Sequence, residues 1–504
     1  GFGGLLREPY ILGLACFASI GGFLFGYDLG VIAGVITMPS FARDFPSLAS
    51  DPTLQGWMVS TLALSAAVGS LANGPLADHL SRRWSLLLGA IVSTVGAVVQ
   101  TAAVNMAMIF AGRAIAGLSI GMLSMVIPLY LSELAPAHLR GSLVTMQQVG
   151  ATAGIMASFW IDYAAMNIRG SGDGQSSLAW RVPLALRCGA SLVLGLGAFW
   201  LPYSPRWLML TDREHGAAAS LSRVRRMSVY DWRIQREVAE IRASLKLDGD
   251  RLAARFPGVT SKPRLFVAQY AELVRERQFR GRLFIACFLQ VLQQLTGINA
   301  VIFYAPSIFK ATGLSGNSIS LLATGVVGVV NFLATIPTML FLDRWGRRPV
   351  LIAGASGMSV SHLVMGTLYA VYQHSWAEHA AAGWAMATFV WIYVACFAFS
   401  AGCVGWVIPS EIFPPAVRSK AVSLAIATSW FFSFVIALVT PVMLDSLRYG
   451  AFYFFSAFCI VLLVWVYFFV PETQGVRMEE MDRLFRGSRE QPQCTHLTVG
   501  TGTA

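Results

Sequence analysis

The sequence has little charge for its length. Asp, Glu, Lys and Arg make up 12% of the 504 residues, whereas hydrophobic residues make up 56% and the mean hydropathy is +0.61. A soluble protein of this size with so few charges would lack the polar surface needed to cover itself. The composition therefore excludes an ordinary soluble globular protein and indicates that lipid is the outer solvent.

Motifs for ATP-driven or metal-dependent chemistry are also missing. The chain has no Walker-type phosphate loop and no His-Glu-x-x-His zinc motif. Its seven cysteines show no metal-ligand spacing, and six lie in or beside apolar runs, where they behave as small hydrophobic residues. We therefore expect neither an enzyme nor a bound metal or cofactor. The net charge of +11 lacks the interleaved exposed aromatics of a nucleic-acid surface, so no nucleic-acid partner is expected.

Twelve apolar runs are long enough to cross about 30 Å of hydrocarbon, which takes about 20 residues each. They fall near residues 11–36, 55–77, 84–104, 107–131, 141–163, 183–203, 281–307, 317–342, 349–373, 384–410, 419–444 and 449–470. The first run carries Asp28 and is too long for a signal peptide, so we expect it to remain in the mature protein. The sequence predicts an all-α membrane protein with six spans in each half.

The two halves repeat one pattern of charged residues. Residues 77–83 (ADHLSRR) correspond to residues 342–348 (LDRWGRR), and 132–136 (SELAP) with Arg140 correspond to 410–414 (SEIFP) with Arg418. Such an internal repeat between apolar runs is typical of transporters built from two homologous lobes. We predict an N-terminal lobe at 1–203, a cytoplasmic helical domain at 204–280, a C-terminal lobe at 281–475 and a cytoplasmic tail at 476–504.

The basic residues lie unevenly between the spans. The repeated motifs, the Arg-rich segment between spans six and seven, and residues 477–489 all fall on one side of the predicted membrane. The positive-inside rule makes that side cytoplasmic, with both termini inside. We expect a multi-pass protein of the plasma membrane that acts as a monomer in the lipid bilayer.

Five segments carry a family resemblance that covers residues 11 to about 475. They are Gly21–Asp28 (GGFLFGYD), Gly112-Arg113, Pro202–Leu208 (PYSPRWL), Gln293–Asn299 (QQLTGIN) and Pro471–Gly475 (PETQG). The chain resembles the sugar porter family of the major facilitator superfamily, in particular its fungal and plant-type proton-coupled monosaccharide transporters. The resemblance implies two pseudo-symmetric six-helix lobes, a cytoplasmic helical domain between them, and alternating access to a central sugar site.

Asp28 decides the predicted mechanism, because a carboxylate within a transmembrane helix is costly unless it is paired, solvated or protonated. Counted from the outer span ends, Asp28 and Arg113 both lie about 9 to 12 Å deep at about 1.5 Å per residue. We predict that the two pair and that protonation from outside weakens the pair. The resemblance implies Asp at this position in proton-coupled members and Asn in many facilitative ones. The alternative is a purely structural ion pair.

A sugar site needs amides for the hydroxyl groups and aromatic rings for the faces of the sugar. The predicted amides, which the resemblance also selects, are Gln148, Gln293, Gln294, Asn299 and Asn331. The predicted aromatic partners are Phe25, Trp406 and Trp430, with Phe303 and Tyr304 as an outer gate. We also expect a local break at Thr296-Gly297 to bring the amides of span seven together.

The repeated charged residues predict a cytoplasmic gate that ties the two lobes together while the outside is open. Its members are Asp78, Arg82, Arg83, Glu133, Arg140, Asp343, Arg347, Arg348, Glu411 and Arg418. The alternative is topology signalling with charge compensation at helix ends, which arginines alone would satisfy. Acidic partners at fixed spacing favour the gate.

Departures from the family pattern leave the substrate open. Ser429 stands where hexose carriers of the family usually have Asn, which makes a polyol or a disaccharide more plausible beside a hexose, and Ser81 replaces the usual Gly of a tight turn. The leading function is proton-coupled sugar symport. The alternatives are a facilitative uniporter and a non-transporting sugar receptor. A cyclic acid such as quinate would favour an additional cation in the site, and no unassigned Arg or Lys was expected within a span.

Overall fold

The computed structural model describes residues 8–136, 140–168, 170, 174–255, 262–311, 317–413 and 415–473, and the regular structure within these ranges is helical. Spans one to six comprise Pro9–Ala18 with Ile20–Val35, Pro52–Leu80, Arg82–Thr101, Met106–Leu134, Arg140–Ala165 and Leu178–Ala198. Spans seven to twelve comprise Arg277–Leu295 with Ile298–Ala311, Asn317–Trp345, Arg347–Tyr372, Ala380–Phe399 with Ala401–Glu411, Pro415–Ser446 and Gly450–Phe469. The predicted tail at 476–504 lies outside the described residues.

Shorter helices connect the spans. Between spans one and two lie Pro39–Asp44 and Pro46–Ser50, a single 3₁₀ turn at Trp376–Glu378 precedes span ten, and the segment between spans six and seven forms Pro205–Leu210, Glu214–Arg225, Trp232–Arg255 and Lys262–Arg275. The segment between the lobes is therefore helical, as the sequence predicted. Tyr270 in the last of these helices bonds Ser423 of span eleven, with 2.8 Å between the two hydroxyl oxygens.

Eleven of the twelve predicted spans are long and apolar enough, among the described residues, to cross a membrane. Span five is the exception, because its 26 residues include many Gly, Ser, Thr and Gln side chains as well as Asp162. It nevertheless packs along its length between span one of its own lobe and span eight of the other. Its polar character suits a buried helix, and with it the described chain has all twelve predicted spans.

Span seven is broken where the sequence predicted. Its first helix ends at Leu295 and its second begins at Ile298, with Gly297 between them at φ +92°. The ring of Phe455 occupies the place that a Cβ at position 297 would take. Both the backbone angle and the contact favour glycine there, so the predicted break is confirmed.

The two lobes meet most extensively along two pairs of helices, span five on span eight and span two on span eleven, and the second half of span seven also contacts span one. Within the bundle, the indole Nε1 of Trp430 donates a hydrogen bond across the interface to Ser124 Oγ, at 3.2 Å. Small residues allow the backbones to approach, since a Cβ at Gly56 would overlap the carbonyl of Leu438. These contacts enclose the space between the lobes.

The repeated turn has the same backbone conformation in both lobes. Ser81 has φ 85° and ψ 158°, and its counterpart Gly346 has φ 83° and ψ 158°. The Ser81 hydroxyl accepts a hydrogen bond from the backbone N–H of Trp84 at 3.4 Å. Serine therefore keeps the turn tight in a backbone region that is essentially restricted to glycine.

Candidate functional site

A cavity of about 560 Å³ lies between the lobes. All eight residues that the sequence predicted as sugar contacts line it, namely Phe25, Gln148, Gln293, Gln294, Asn299, Asn331, Trp406 and Trp430. The other lining residues are Leu29, Ala151, Ile155, Ile298, Ile302, Phe397, Ser429 and Ser433. The described lining therefore contains amides, hydroxyls, aromatic rings and aliphatic side chains, and no charged group.

A chain of hydrogen bonds orders the amides on the side of the second lobe. Asn299 Nδ2 donates to Gln294 Oε1 at 2.6 Å and to Ser433 Oγ at 2.7 Å. Gln294 Nε2 in turn donates to Ser429 Oγ at 2.9 Å. The break in span seven brings its two amides together, and Ser429 takes part in the network. Although Ser429 replaces the Asn that is usual in the family's hexose carriers, its hydroxyl still accepts a hydrogen bond from Gln294, so the network of this wall stays connected.

Gln293 presents an unused acceptor within the same wall. Its Nε2 donates to the carbonyl of Ala401 at 2.8 Å, at the point where span ten is interrupted. Its Oε1 is buried and has no hydrogen-bond partner among the described residues. A buried acceptor of this kind is suited to a ligand hydroxyl, which can donate to it.

Three aromatic residues form another part of the wall. The ring centroid of Phe25 lies 5.0 Å from that of Trp430 and 6.4 Å from that of Trp406, with edge-to-face angles of 73° and 65°. Phe25 belongs to the first lobe and both tryptophans to the second. The cluster therefore spans the interface, and movement of span one would change this wall of the cavity directly.

Two side chains that the sequence did not single out support the break in span seven. The carbonyl of Thr296 accepts hydrogen bonds from His362 Nε2 at 3.0 Å and from the hydroxyl of Tyr393 at 2.9 Å. Because the helix is interrupted at Gly297, this carbonyl lies at the end of a helical segment, where partners from other helices compensate for lost backbone bonds. Spans nine and ten thus hold the hinge of span seven.

The predicted gate residues lie beyond the cavity lining, in the second half of span seven. Phe303 is fully buried, and the hydroxyl of Tyr304 donates to the carbonyl of Ala437 in span eleven at 2.9 Å. Their position at the end remote from the charged motifs is consistent with a gate. The gating role itself stays a prediction.

Asp28 is paired, although its partner is not the one that the sequence predicted. Arg187 of span six places Nη2 2.7 Å from Asp28 Oδ2, and the same nitrogen donates to Ser93 Oγ of span three at 2.9 Å. Arg113 instead donates to the carbonyls of Met58 and Val59 at 2.7 and 2.8 Å. Arg113 remains within electrostatic range of Asp28.

The predicted direct pair of Asp28 and Arg113 therefore needs correction for this conformation. Arg113 is not the only other ionisable residue buried in the first lobe, because Arg187 is buried beside Asp28, and Asp162 is buried further toward the outer end, against Gly34. The statement that no further Arg lies within a span was wrong for the same reason. A search of every span for ionisable residues, including spans five and six, would have found both.

The charged motifs form two equivalent clusters, one in each lobe. Arg82 pairs with Glu133 at 2.9 Å and with Asp78 at 3.2 Å, and Ser204 bonds the same Glu133. In the second lobe Arg347 pairs with Glu411 at 2.8 Å, and the hydroxyl of Thr473 donates to Glu411 at 2.7 Å.

The gate prediction required ion pairs between the two lobes. The ion pairs described here instead join helices within one lobe, so that prediction was wrong for them. The spacing that repeats within each half places the acid and the arginine on neighbouring helices of that half. Arg83 and Arg348 lie over the rings of Tyr203 and Tyr467, and Arg418 donates to the carbonyl of Phe413. The side chains of Arg140 and Asp343 lie outside the described residues.

Comparison with known proteins agrees with this architecture. The family model described as "Sugar (and other) transporter" matches residues 14–485. The chain is 34% identical over 491 residues to sugar transport protein MST7 of Oryza sativa subsp. japonica, covering 94% of this chain and 91% of that protein. It is 33% identical over 485 residues to a quinate permease of Neurospora terricola, covering 94% and 88%.

A solved structure shows the same fold. The structure of the proton:xylose symporter XylE bound to 6-bromo-6-deoxy-D-glucose aligns with a TM-score of 0.76 and 28% sequence identity, covering 95% of this chain and 99% of that one. XylE is a protein of E. coli and of the major facilitator superfamily. The family members are transporters and not enzymes. By its full-length match, its twelve helices and its central cavity, the chain belongs to the sugar porter family of the major facilitator superfamily.

Proposed function

We propose that this protein is a proton-coupled symporter for a neutral sugar, which works by alternating access. The observation that carries the proposal is a cavity lined by amides and aromatic rings from both lobes, with the buried carboxylate of Asp28 directly before the lining residue Leu29 in span one. The similarity to the proton:xylose symporter supports it. The proposed mechanism needs no cofactor, because protons are the coupling ion.

The cavity lining favours an uncharged, hydroxyl-rich substrate. A carboxylate such as quinate would need a cation, and Arg187, the buried arginine that the sequence argument overlooked, is bonded to Asp28 outside the lining. The proposed roles of Gln148, Gln293, Gln294, Asn299 and Asn331 are to bond sugar hydroxyls.

Asp28 is the proposed proton site. It follows Phe25 by three residues and directly precedes Leu29, and both of these line the cavity. Protonation would remove its attraction to Arg187 and to the more distant Arg113, which frees span one from spans six and four. Because Phe25 lies on the same helix, a shift of span one alters the aromatic wall. This links proton binding to the sugar site.

A proton gradient would make uptake concentrative. One charge that crosses the membrane potential gains about 2.3 kcal/mol per 100 mV. That corresponds to an accumulation of about fiftyfold. We propose a plasma-membrane location with both termini in the cytoplasm, and a functional monomer, which places the end of the bundle with the charged motifs inside the cell.

A facilitative uniporter is the main alternative, in which Asp28 and its arginines are structural. A labelled sugar panel offered to liposomes that contain the protein, at about pH 5 and about pH 8 outside, separates the two functions. Acid-stimulated accumulation that a protonophore abolishes supports symport. Simple equilibration at both pH values supports the uniporter, and sugar binding without flux supports a receptor. The panel includes a hexose, a pentose, a polyol, a disaccharide and quinate.

A further inference from the structure

We propose that Asp162 in span five is a second proton-binding site, and that closure of the outer end of the transporter requires its protonation. This inference deepens the proposed function and rests on it for the direction of transport. It concerns a side chain outside the cavity lining and outside the Asp28 pair. The first observation in its support is that the Asp162 carboxyl is buried and has no hydrogen-bond partner in the described structure.

Asp162 is fully buried, and neither of its carboxyl oxygens has a hydrogen-bond partner among the described residues. The side chain packs against Gly34 of span one so closely that a Cβ at position 34 would overlap it. An ionised carboxylate that has lost both water and partners is strongly disfavoured, whereas the protonated acid is not. The packed arrangement therefore suits the neutral form.

The position along the bundle sets Asp162 apart from Asp28. Gly34, which contacts Asp162, follows Asp28 by six residues in span one, a distance of about 9 Å along a helix. This displacement is toward the end remote from the charged motifs, which is the proposed outer side. Asp162 thus lies between Asp28 and the proposed outer surface.

Among the residues that the structure describes, no cation on the neighbouring helices neutralises Asp162. The titratable groups of span one nearest to it are Tyr27, whose hydroxyl donates to the carbonyl of Pro183 at 2.7 Å, and Asp28. The described basic groups in the outer halves of the surrounding helices are Arg113 of span four, Arg181 and Arg187 of span six and Lys310 of span seven. The three arginines are bonded elsewhere, and none of the four forms an ion pair with Asp162 in the described structure.

The remaining helices packed against span five carry their ionisable groups at the motif end. They are Tyr10 and Cys16 in the first helix, Asp343 and Arg344 in span eight, and Glu411 in span ten. Tyr163 is the titratable neighbour of Asp162 on span five itself and is partly exposed.

The second lobe packs against both helices that hold Asp162. The outer half of span seven contacts span one, and span eight contacts span five. Separation of the lobes at this end is therefore the motion that admits water to the carboxyl. In an open outer end Asp162 is hydrated and ionised, and closure takes up one proton from the external solvent to form the buried acid. The same proton is released when water next reaches the carboxyl.

The test is the pH dependence of sugar exchange in variants that lack the first proton site. Liposomes with equal concentrations of D-glucose, or of the panel sugar that the native protein exchanges, on both sides are assayed by tracer exchange, with the pH equal inside and outside. In Asp28→Asn we expect exchange to rise about tenfold from about pH 8 to about pH 5. In Asp28→Asn/Asp162→Asn we expect a flat profile, because a carboxamide is neutral at every pH.

Ser158→Ala in the Asp28→Asn background is the matched control. Ser158 is buried on the same face of span five against Gly30, and its hydroxyl bonds only within its own helix in the described structure. In this control, sugar exchange must rise with falling pH as steeply as it does in the Asp28→Asn variant. A flat profile in Asp28→Asn itself, or an unchanged slope in the double variant, overturns the inference.

If the Asp28→Asn variant does not exchange sugar at any pH, sugar binding provides a second test of the Asp162 site. The fluorescence of Trp406 and Trp430, which line the cavity, reports sugar binding by detergent-solubilised Asp28→Asn as a function of pH. An affinity that strengthens on acidification supports the second site, and an affinity independent of pH contradicts it. Accumulation by the native protein under a proton gradient is measured separately, so failure of the proposed symport is distinguishable from failure of the second site.

Discussion

Arg187 Nη2 lies 2.7 Å from Asp28 Oδ2, and both side chains are almost completely buried. The pair joins spans one and six, while the bond from Arg187 to Ser93 extends the connection to span three. A buried ion pair contributes little net stability as a whole, but the loss of one member leaves an uncompensated charge. The relationship therefore makes Asp28 and Arg187 interdependent.

Arg187→Gln is expected to destabilise the protein by about 3–5 kcal/mol, because Asp28 loses its direct partner. Asp28→Asn/Arg187→Gln should recover much of that loss, since neither charge remains. Thermal unfolding in detergent of both single variants and the double variant measures the coupling. Strictly additive losses would show that the two residues do not depend on each other. Arg181→Gln, in the same span but bonded to backbone carbonyls of span three and the loop after it, is the control.

Ser81→Gly is expected to stabilise the protein. The conformation of Ser81 costs a non-glycine residue about 1–3 kcal/mol, and its weak bond to the N–H of Trp84 offsets part of this. The reciprocal change, Gly346→Ser, should destabilise the equivalent turn of the second lobe by a similar amount. Thermal unfolding of Ser81→Gly and Gly346→Ser measures both effects. A loss of stability in Ser81→Gly would show that the backbone at position 81 is not strained by serine.

Tyr393→Phe is expected to slow transport and to lower stability by about 1 kcal/mol, because the Thr296 carbonyl loses one of its two donors. The ring remains in place, so the change isolates the hydroxyl. Initial exchange rates and sugar affinity are measured together. A change in affinity with an unaltered rate would place the role of Tyr393 in the sugar site and not in the hinge of span seven.

Ser429→Asn is expected to shift the preference toward smaller sugars. The longer side chain enters the cavity and adds an amide to the wall that Gln294 and Asn299 form. Competition of a disaccharide and a polyol against labelled hexose uptake measures the shift. We expect the disaccharide to weaken by about tenfold relative to hexose, which corresponds to about 1.4 kcal/mol, and the polyol, which is no larger than a hexose, to change little. Equal weakening of all sugars would show general damage to the site.

The fold and the cavity were largely predictable from the sequence, whereas the ion pairs were not. Amides such as Gln293 and Asn331 are unusual at membrane depth, so their residue type and position identify them in a chain of this family. The partner of Asp28 depends on the rotation of each helix, which depth alone does not determine. Both Arg113 and Arg187 lie at a depth that would allow a pair with Asp28. Tertiary packing brings Arg187, and not Arg113, into direct contact with it.

The repeated motifs show the same limit. Their spacing predicted charged clusters at equivalent places in the two lobes, and there Glu133 pairs with Arg82 and Glu411 with Arg347. It did not show whether those partners lie within a lobe or across the interface. His362 and Tyr393 were not predicted from the sequence. Both donate to the Thr296 carbonyl, which has no partner within its own helix because the helix is interrupted there, and no side-chain pattern reveals such a carbonyl.

Proton-driven accumulation of sugar by the native protein and by Asp28→Asn distinguishes proton-coupled from facilitative transport. Liposomes receive a labelled sugar with an acidic exterior, with and without a protonophore. The account predicts that the native protein accumulates sugar about fiftyfold per 100 mV of driving force, that the protonophore abolishes accumulation, and that Asp28→Asn only equilibrates the sugar. Equilibration without accumulation by the native protein, unaffected by pH or by the substitution, would contradict it.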